Sequence, residues 1–177
     1  MKIVSQSREM KAFPIRYIYY AVIALILSIV DILFVDIIQI EGIAPDLLLI
    51  LCIWIALAEG QFVALFAAFG IGIVYDLISA DVVGTNALAK VSAAFVAGFF
   101  HKERNIKQSL NIIRFVLVVL ISSFVHNIIY FFFYIKSSEI AFLPFFLRYG
   151  IAASFYTTAL SVIAILVKIP EKEIDID

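Results

Sequence analysis

Residues 45–100 read PDLLLILCIWIALAEGQFVALFAAFGIGIVYDLISADVVGTNALAKVSAAFVAGFF, and they form the most informative part of the chain for predicting its fold. It contains three apolar segments that only a few polar residues separate. Three polar features stand out within it: Asp76 near the end of the second segment, the loop 79–86, and Lys90 in the third segment. Apolar segments this closely spaced predict the packed centre of a small membrane protein.

The composition of the whole chain supports the same interpretation. The chain has 177 residues, of which 64% are hydrophobic, and a mean hydropathy of +1.11. Ordinary soluble domains are roughly 45–50% apolar, and a soluble fold of this length lacks the polar surface to cover so many apolar side chains. We therefore expect residues 1–177 to form a single transmembrane domain in a lipid bilayer. The net charge of −1 argues against a nucleic-acid partner.

The first apolar run follows a basic N-terminal segment, which is also the pattern of a secretory signal peptide. However, the run that begins at Tyr17 is long enough to cross a bilayer, and no small-x-small cleavage site follows it. The sequence therefore predicts a retained first helix.

Six segments are predicted to be membrane spans. They cover residues 17–38, 45–58, 62–79, 86–100, 112–135 and 144–167. The second segment is short, because a helix over 45–58 covers only about 21 Å of a hydrocarbon core of about 30 Å. It is expected to thin the bilayer, to extend into the next turn, or to be shielded by neighbouring helices.

Small residues predict which helices pack together. They recur at every fourth position in two neighbouring segments, as Ala64, Ala68 and Gly72 and as Ala89, Ala93 and Ala97. This spacing lets two helix backbones approach closely, which is the main packing device in lipid. The third and fourth segments are therefore predicted to form a tight pair.

The placement of Lys and Arg predicts the orientation, because cytoplasmic loops are enriched in both. With six spans and the N-terminus inside, only Lys136 and Arg148 fall outside, and Lys90 lies within a span. The inside then carries Lys2, Arg8, Lys11, Arg16, Lys102, Arg104, Lys107, Arg114, Lys168 and Lys172. The predicted fold class is an all-α integral membrane protein with six transmembrane helices and both termini in the cytoplasm.

A polar cluster is expected at the outer ends of the second, third and fourth segments. A Lys one turn inside a membrane helix is costly unless it is paired or reaches the interface. One interpretation pairs Lys90 with Asp76, which fixes the outer turn or docks a partner; the other lets Lys90 snorkel without meeting Asp76. The residues proposed for partner binding or for this structural cluster are Asp46, Asp76, Ser79, Gly84, Asn86 and Lys90.

Asp31, His126 and Asn127 are polar residues within predicted spans. Intramembrane carboxylates are often ion or proton sites, but no chain of further carboxylates lies at the depth of Asp31 to relay a proton. The favoured interpretation is a helix–helix hydrogen bond from Asp31 to Ser122, His126 or Asn127, and similar cross-helix bonds for His126 and Asn127.

The sequence contains no pattern of a catalytic, metal or cofactor site. His101 and His126 lie at opposite membrane faces in the predicted topology, and neither belongs to a known metal-ligand spacing. There is also no glycine-rich phosphate loop and no nucleophile elbow. The chain is therefore not expected to be an enzyme.

Four short motifs in the central block carry a family resemblance. They are Pro45-Asp46 before a Leu-rich span, Gly60 in the next turn, Tyr75-Asp76-Leu77-Ile78-Ser79 closing a Gly-rich span, and Gly84 before Asn86-Ala87-Leu88-Ala89. In these motifs the chain resembles the MreD family of bacterial rod shape-determining proteins. It departs from that family after Ser79, where a Gly and a Pro-Leu-Gly-like run are common. Ala80, Val82, Val83 and Gly84 stand there instead, and Asp81 and Thr85 are added.

The resemblance implies a membrane scaffold with no catalytic activity and no cofactor. MreD-like proteins lie in the bacterial inner (cytoplasmic) membrane and bind the bitopic protein MreC. They belong to the cell-elongation complex with MreB filaments, RodA and a class B penicillin-binding protein, which supports peptidoglycan synthesis and cell shape. On this interpretation, the outer loop around Asp76–Asn86 and the third and fourth spans would hold an MreC-like helix or its outer stem.

A second hypothesis is a vitamin-type binding component of an energy-coupling-factor transporter. The MreD fold looks similar to those components, which have six helices, and interrupted or short spans often line binding sites. A fold analogy is weak support for a function, however. The outer loops here are short and aromatic or apolar, so they offer few hydrogen-bond donors for a polar pocket. An integral membrane enzyme has no supporting constellation.

Overall fold

Six helices make up the described part of the chain. The computed structural model describes residues 2–79, 82–102, 110–136 and 141–166, and for residues 2–14 and 35–36 it describes the backbone alone. The helices are α1 (Lys2–Ile38), α2 (Leu47–Glu59), α3 (Gln61–Ser79), α4 (Thr85–Gly98), α5 (Ile112–Ile135) and α6 (Phe142–Leu166). The all-α prediction is confirmed for these residues, and the helices match the predicted segments within a few residues, except that α1 begins at Lys2 instead of Tyr17.

Four of the helices are long and apolar enough to cross a membrane. They are α1 over Ile15–Phe34, α3, α5 and α6. Helices α2 and α4 have only 13 and 14 residues and so reach about 20 Å along their axes. Length and composition therefore support four of the six predicted spans. Several cations behind the predicted orientation lie outside the described residues, namely Arg104, Lys107, Lys168 and Lys172.

Helix α2 is short and lies in the interior of the bundle. Most of its 13 residues are buried, and Leu48, Ile53 and Leu57 are completely buried. All five other helices contact it. A helix that is apolar on every side is stable where neighbours cover every side. Of the three ways to accommodate a short second segment, the structure shows shielding by neighbouring helices.

Helices α3 and α4 form the most extensive helix pair among the described residues, so the predicted pairing is confirmed. The small residues that predicted it are all buried. A Cβ built on Gly72 would overlap the Cα of Ala87 and lie 2.6 Å from its backbone nitrogen, so only glycine fits there. At the other end of the pair, Gln61 packs on Gly98 and donates a 3.1 Å hydrogen bond to the Phe95 carbonyl.

Helix α6 contains a π-helical turn at Phe146–Gly150, between α-helical parts at Phe142–Phe145 and Ile151–Leu166. Aromatic rings contact one another across this turn and the end of α5: Tyr130, Phe131, Tyr134, Phe142, Phe145, Phe146 and Tyr149. These rings lie at the end of the bundle that also carries the turn 39–46 and the loop 82–84. We call this end the distal end.

Candidate functional site

A buried ion pair joins α4 to the start of α2 at the distal end. Lys90 Nζ lies 2.6 Å from Asp46 Oδ2 and donates a second hydrogen bond of 3.2 Å to Asn86 Oδ1. The ammonium also lies 5.2 Å from the centre of the Tyr75 ring, within cation–π range. The Lys90 side chain is 1% exposed, so it does not snorkel. Both interpretations of Lys90 are therefore wrong, because its partner is Asp46 and not Asp76 or the membrane interface.

Asp46 connects the start of α2 to two other helices. Its Oδ1 accepts the Leu49 backbone N–H at 2.7 Å, which is an N-cap bond. Its own backbone N–H donates to Thr157 Oγ1 on α6 at 3.0 Å. Its Oδ2 accepts the Lys90 bond from α4 and lies 3.4 Å from His126 Nε2 on α5. One aspartate therefore fixes how α2 sits against α4 and α6.

Asp76 caps α4 from near the end of α3. Its carboxylate accepts backbone N–H bonds from Gly84 at 2.7 Å, Asn86 at 3.2 Å and Ala87 at 3.5 Å. Gly84 has φ +98°, a left-handed conformation that favours glycine. The completely buried carboxylate satisfies donors that the first turn of a helix leaves unpaired, and its charge suits the positive end of the helix dipole. Asp76 is therefore a structural cap.

The substitution Asp76→Ala is expected to destabilise the protein by about 3 kcal/mol, since an unpaired buried donor costs roughly 1–3 kcal/mol. Asp76→Asn keeps one oxygen acceptor and is expected to lose less stability. Amide hydrogen exchange at Gly84 and Asn86 in detergent micelles should be faster in the alanine variant. Ser92→Ala is the control and should leave both rates unchanged, because the Ser92 hydroxyl bonds only the Leu88 carbonyl of the same helix. Unchanged rates in Asp76→Ala would contradict the cap.

Asn127 links α5 to the π turn of α6. Its Nδ2 donates to the Gly150 carbonyl at 3.2 Å and to Ser154 Oγ at 2.9 Å. Ser154 Oγ in turn donates to the Gly150 carbonyl at 2.8 Å. Because Nδ2 is fixed by these acceptors, Oδ1 is the atom that faces His126 Nδ1, 3.3 Å away. The predicted cross-helix hydrogen bond is confirmed for Asn127.

Asp31 lies close to the Tyr75 side chain of α3. The expected hydrogen bonds from Asp31 to Ser122, His126 or Asn127 are not present. His126 Nδ1 and Asn127 bond elsewhere, and Ser122 Oγ has no hydrogen-bond partner. His126 and Asn127 nonetheless line the same cavity as Asp31.

This cavity, which we call the distal cavity, has a volume of about 300 Å³. The polar residues that line it are Asp31, Asp46, Asn86, His126 and Asn127. The aromatic residues that line it are Tyr75, Tyr130, Phe131, Tyr134, Phe145 and Tyr149. The expectation that the chain lacks a polar pocket is therefore wrong, because most of the polar groups come from helices and not from the outer loops.

The other predicted site residues lie around the distal cavity without lining it. Lys90 forms an ion pair with Asp46 but is not among the residues that line the cavity. Asp76 and Gly84 form the cap of α4. Ser79 makes a local bond of 2.8 Å to the Tyr75 carbonyl. Sequence reasoning missed Thr157 and Ser154 as partners of Asp46 and Asn127. Ser154 and Thr157 are three positions apart and so share one face of α6, and this spacing could have indicated that they contact polar groups of neighbouring helices.

A second polar group closes the opposite end of the bundle. Arg16 Nη1 binds the two Glu59 carboxylate oxygens at 2.8 and 3.0 Å, and the Tyr20 hydroxyl donates to Glu59 Oε1 at 3.0 Å. His101 Nδ1 donates to the Leu57 carbonyl at 2.9 Å. The Arg16 side chain is 49% exposed, so this ion pair is expected to contribute about 0–1 kcal/mol.

The polar and aromatic side chains at the distal end are arranged to bind a ligand or to pack helices together. The Lys90 ammonium makes two hydrogen bonds and a cation–π contact with the Tyr75 ring. His126 stacks on Tyr130 with ring centres 5.9 Å apart. Among the residues that the structure describes, no three His, Cys, Asp or Glu side chains are placed to hold a metal ion.

An apolar groove of about 690 Å³ lies on the surface between α1 and α3. Small residues from both helices line it, namely Ala21, Ala24, Ala67 and Gly70. A Cβ added at Gly70 would meet no atom within 4 Å, so the groove has free space there. We call this surface the α1–α3 groove.

Comparison with known proteins identifies one family. The family model for the rod shape-determining protein MreD matches residues 13–167, which include all of α2 to α6 and most of α1. Searches of curated proteins and of solved structures give no match.

Proposed function

Because the chain belongs to the MreD family of rod shape-determining proteins, we propose that it is a non-catalytic scaffold of the cell-elongation complex in the bacterial inner membrane. In this role it binds an MreC-like bitopic protein. It thereby supports peptidoglycan synthesis by RodA and a class B penicillin-binding protein along MreB filaments. The family match over residues 13–167 carries the proposal, since it covers nearly the whole helical bundle. The match does not support the transporter alternative.

The interior polar side chains join helices to one another, and this arrangement supports the scaffold proposal. Asp46, Asp76 and Asn127 each hold two or more helices or turns together. Buried hydrogen-bonded groups of this kind specify one arrangement of helices, because moving any helix would leave polar groups unpaired in lipid. A bundle fixed in this way presents a constant outer surface to a partner.

The α1–α3 groove is the surface that we propose for the MreC-like transmembrane helix. Helix association in lipid depends on close packing, which small residues allow. The groove offers such residues on both walls, and its lining is almost entirely apolar, as a surface at bilayer depth must be. Helix α3 thus contributes to partner binding through its outer face, while its small-residue face is occupied by α4.

The substitution Gly70→Leu is expected to reduce recovery of the MreC-like partner at least tenfold, because the new side chain fills the α1–α3 groove. A Cβ at position 70 meets no atom of the chain within 4 Å, so the backbone does not have to move and the fold should be preserved. The measurement is affinity purification of the tagged chain from native membranes after crosslinking. Ala159→Leu, at an exposed position of α6 away from the groove, is the matched control and should retain the partner. Equal recovery with both variants would exclude the groove as the docking surface.

Depletion in a rod-shaped host tests the broader proposal. Loss of the protein is expected to give rounded cells with disordered insertion of new wall material. Expression of the wild-type chain should restore the rod shape, whereas expression of Gly70→Leu should not. Cells that keep their shape and wall-insertion pattern after depletion would count against the scaffold role, whatever the groove variants show.

A further inference from the structure

The distal cavity has features of a ligand site that a scaffold role does not require. Asn86 Nδ2 and His126 Nε2 are buried without a hydrogen-bond partner, and both residues line this cavity. Each of the two residues is only 3% exposed. Buried polar groups in native proteins are nearly always paired, because leaving such a group unpaired destabilises the fold. Two such atoms on residues that line one cavity are available to hydrogen-bond a ligand.

The hydrogen-bond network makes His126 Nε2 a hydrogen-bond acceptor. Asn127 Oδ1 can only accept, so His126 Nδ1 must carry the hydrogen that lies between them. In a neutral imidazole, Nε2 then has a lone pair and no hydrogen. Asp46 Oδ2, which also only accepts, lies 3.4 Å from it. Two acceptors this close call for a donor that both can share.

The charges and rings of the cavity wall define the donor further. Asp31 and Asp46 supply two carboxylates, and Lys90 balances one of them. The Tyr75, Tyr130, Tyr134 and Tyr149 rings also line the wall, and aromatic faces attract cations. We propose that the distal cavity binds a primary ammonium group, whose N–H groups donate to His126 Nε2 and to the carboxylates of Asp46 and Asp31. Asn86 Nδ2 would donate to an oxygen elsewhere on the same ligand.

The cavity volume limits the size of the ligand. About 300 Å³ is at the lower end of small-molecule pockets, so the ammonium can be accompanied by a short chain or a single ring. A free amine and the headgroup of an ethanolamine lipid share this chemistry. The site is independent of the α1–α3 groove, so it can be tested whether or not the scaffold role holds.

Binding is tested with tyramine, which joins a primary ammonium to a phenol ring. Tyramine is titrated by calorimetry into the full chain in phosphatidylcholine nanodiscs, and saturable binding is expected. Tyrosol has a hydroxyl in place of the ammonium, and N,N,N-trimethyltyramine keeps the charge but has no N–H. Each should bind at least about tenfold more weakly, because each loses charge-assisted hydrogen bonds.

Nanodiscs that contain phosphatidylethanolamine distinguish the two sources of the ammonium. A weaker apparent tyramine affinity in these discs supports the site and identifies the lipid headgroup as its occupant. An unchanged affinity supports the site and identifies a free amine. Absence of tyramine binding in phosphatidylcholine discs, or equal binding of tyramine and tyrosol, overturns the proposal.

Two variants locate the binding. His126→Phe keeps a ring that can stack on Tyr130 and removes Nε2, and Asp31→Asn removes one carboxylate without touching the Lys90–Asp46 pair. Both should weaken tyramine binding at least about tenfold while far-UV circular dichroism is unchanged. If His126→Phe does not fold, Asp31→Asn decides the outcome alone. Glu59→Gln removes a carboxylate at the opposite end of the bundle and should leave the affinity unchanged. Wild-type affinity in Asp31→Asn overturns the proposal.

Nitrogen-15 NMR of the imidazole rings provides an independent test. The chain has only two histidines, so His101→Gln assigns the His126 signals. The ligand-free protein should show a bare Nε2, and tyramine should shift its resonance as a hydrogen-bond acceptor. A doubly protonated His126 in the ligand-free protein would itself donate to Asp46, and this result would overturn the proposal.

Discussion

Replacement of Lys90 by methionine is expected to lower the free energy of unfolding by about 3–5 kcal/mol, the usual cost of removing one partner from a buried ion pair. Methionine has a similar length but leaves the Asp46 carboxylate without its partner at 2.6 Å. It also leaves Asn86 Oδ1 without a donor. The measurement is an SDS titration of the purified protein in mixed micelles, followed by far-UV circular dichroism.

The double variant Lys90→Met, Asp46→Asn isolates the coupling between the two charges. Asparagine is also a good N-cap, so it keeps an acceptor for the Leu49 N–H. The double variant should be more stable than the sum of the single losses predicts by at least about 1 kcal/mol, because neither charge is left buried alone. Arg16→Met breaks an exposed pair and should cost less than about 1 kcal/mol. Additive losses at Lys90 and Asp46 would contradict the assigned pair.

The substitution Gly72→Ala is expected to destabilise the protein by at least about 2 kcal/mol, although it adds one methyl group. The new Cβ would overlap the Cα of Ala87, so α3 and α4 must move apart at their closest contact. Backbone atoms cannot rotate away as a flexible side chain can, so the cost lies toward the upper part of the range for overpacked cores. The same SDS titration measures it.

Gly70→Ala is the matched control for this prediction, two residues earlier on the same helix. Its Cβ meets nothing within 4 Å, and alanine favours a helix over glycine by up to about 1 kcal/mol. This variant should be as stable as the wild type or more stable. Equal losses at both positions would mean that a general effect on α3, and not the contact with α4, causes the destabilisation.

The sequence predicted the helical class and the α3–α4 pair because the signals for both are local. Apolar runs and a small residue at every fourth position are properties of one segment and do not depend on its neighbours. The positions of the helices followed within a few residues for the same reason. The environment of α2 could not be predicted in this way, since whether its 12 apolar residues face lipid or protein depends on the five helices around them.

The sequence predicted which residues form the polar site, but it did not predict which of them contact one another. Asp76 lies closer to Lys90 in sequence than Asp46 does, yet Asp46 is the partner, 44 positions away. Asp76 is instead used by the backbone N–H groups of the α4 N-terminus. Distance along the sequence could not show which carboxylate contacts Lys90 and which contacts the backbone N–H groups of α4, because both contacts depend on how the helices pack.

Apolar runs, the spacing of small residues and four short motifs were enough to predict a helical membrane protein of the MreD family with a close α3–α4 pair and polar residues inside its apolar segments. The interior position of α2, the pairing of Lys90 with Asp46 and the lining of the distal cavity by several helices follow only from the three-dimensional packing. The difference is one of distance. Hydropathy acts along one segment, whereas ion pairs and hydrogen bonds require atoms within about 3–4 Å, and only the packing of distant segments sets those separations.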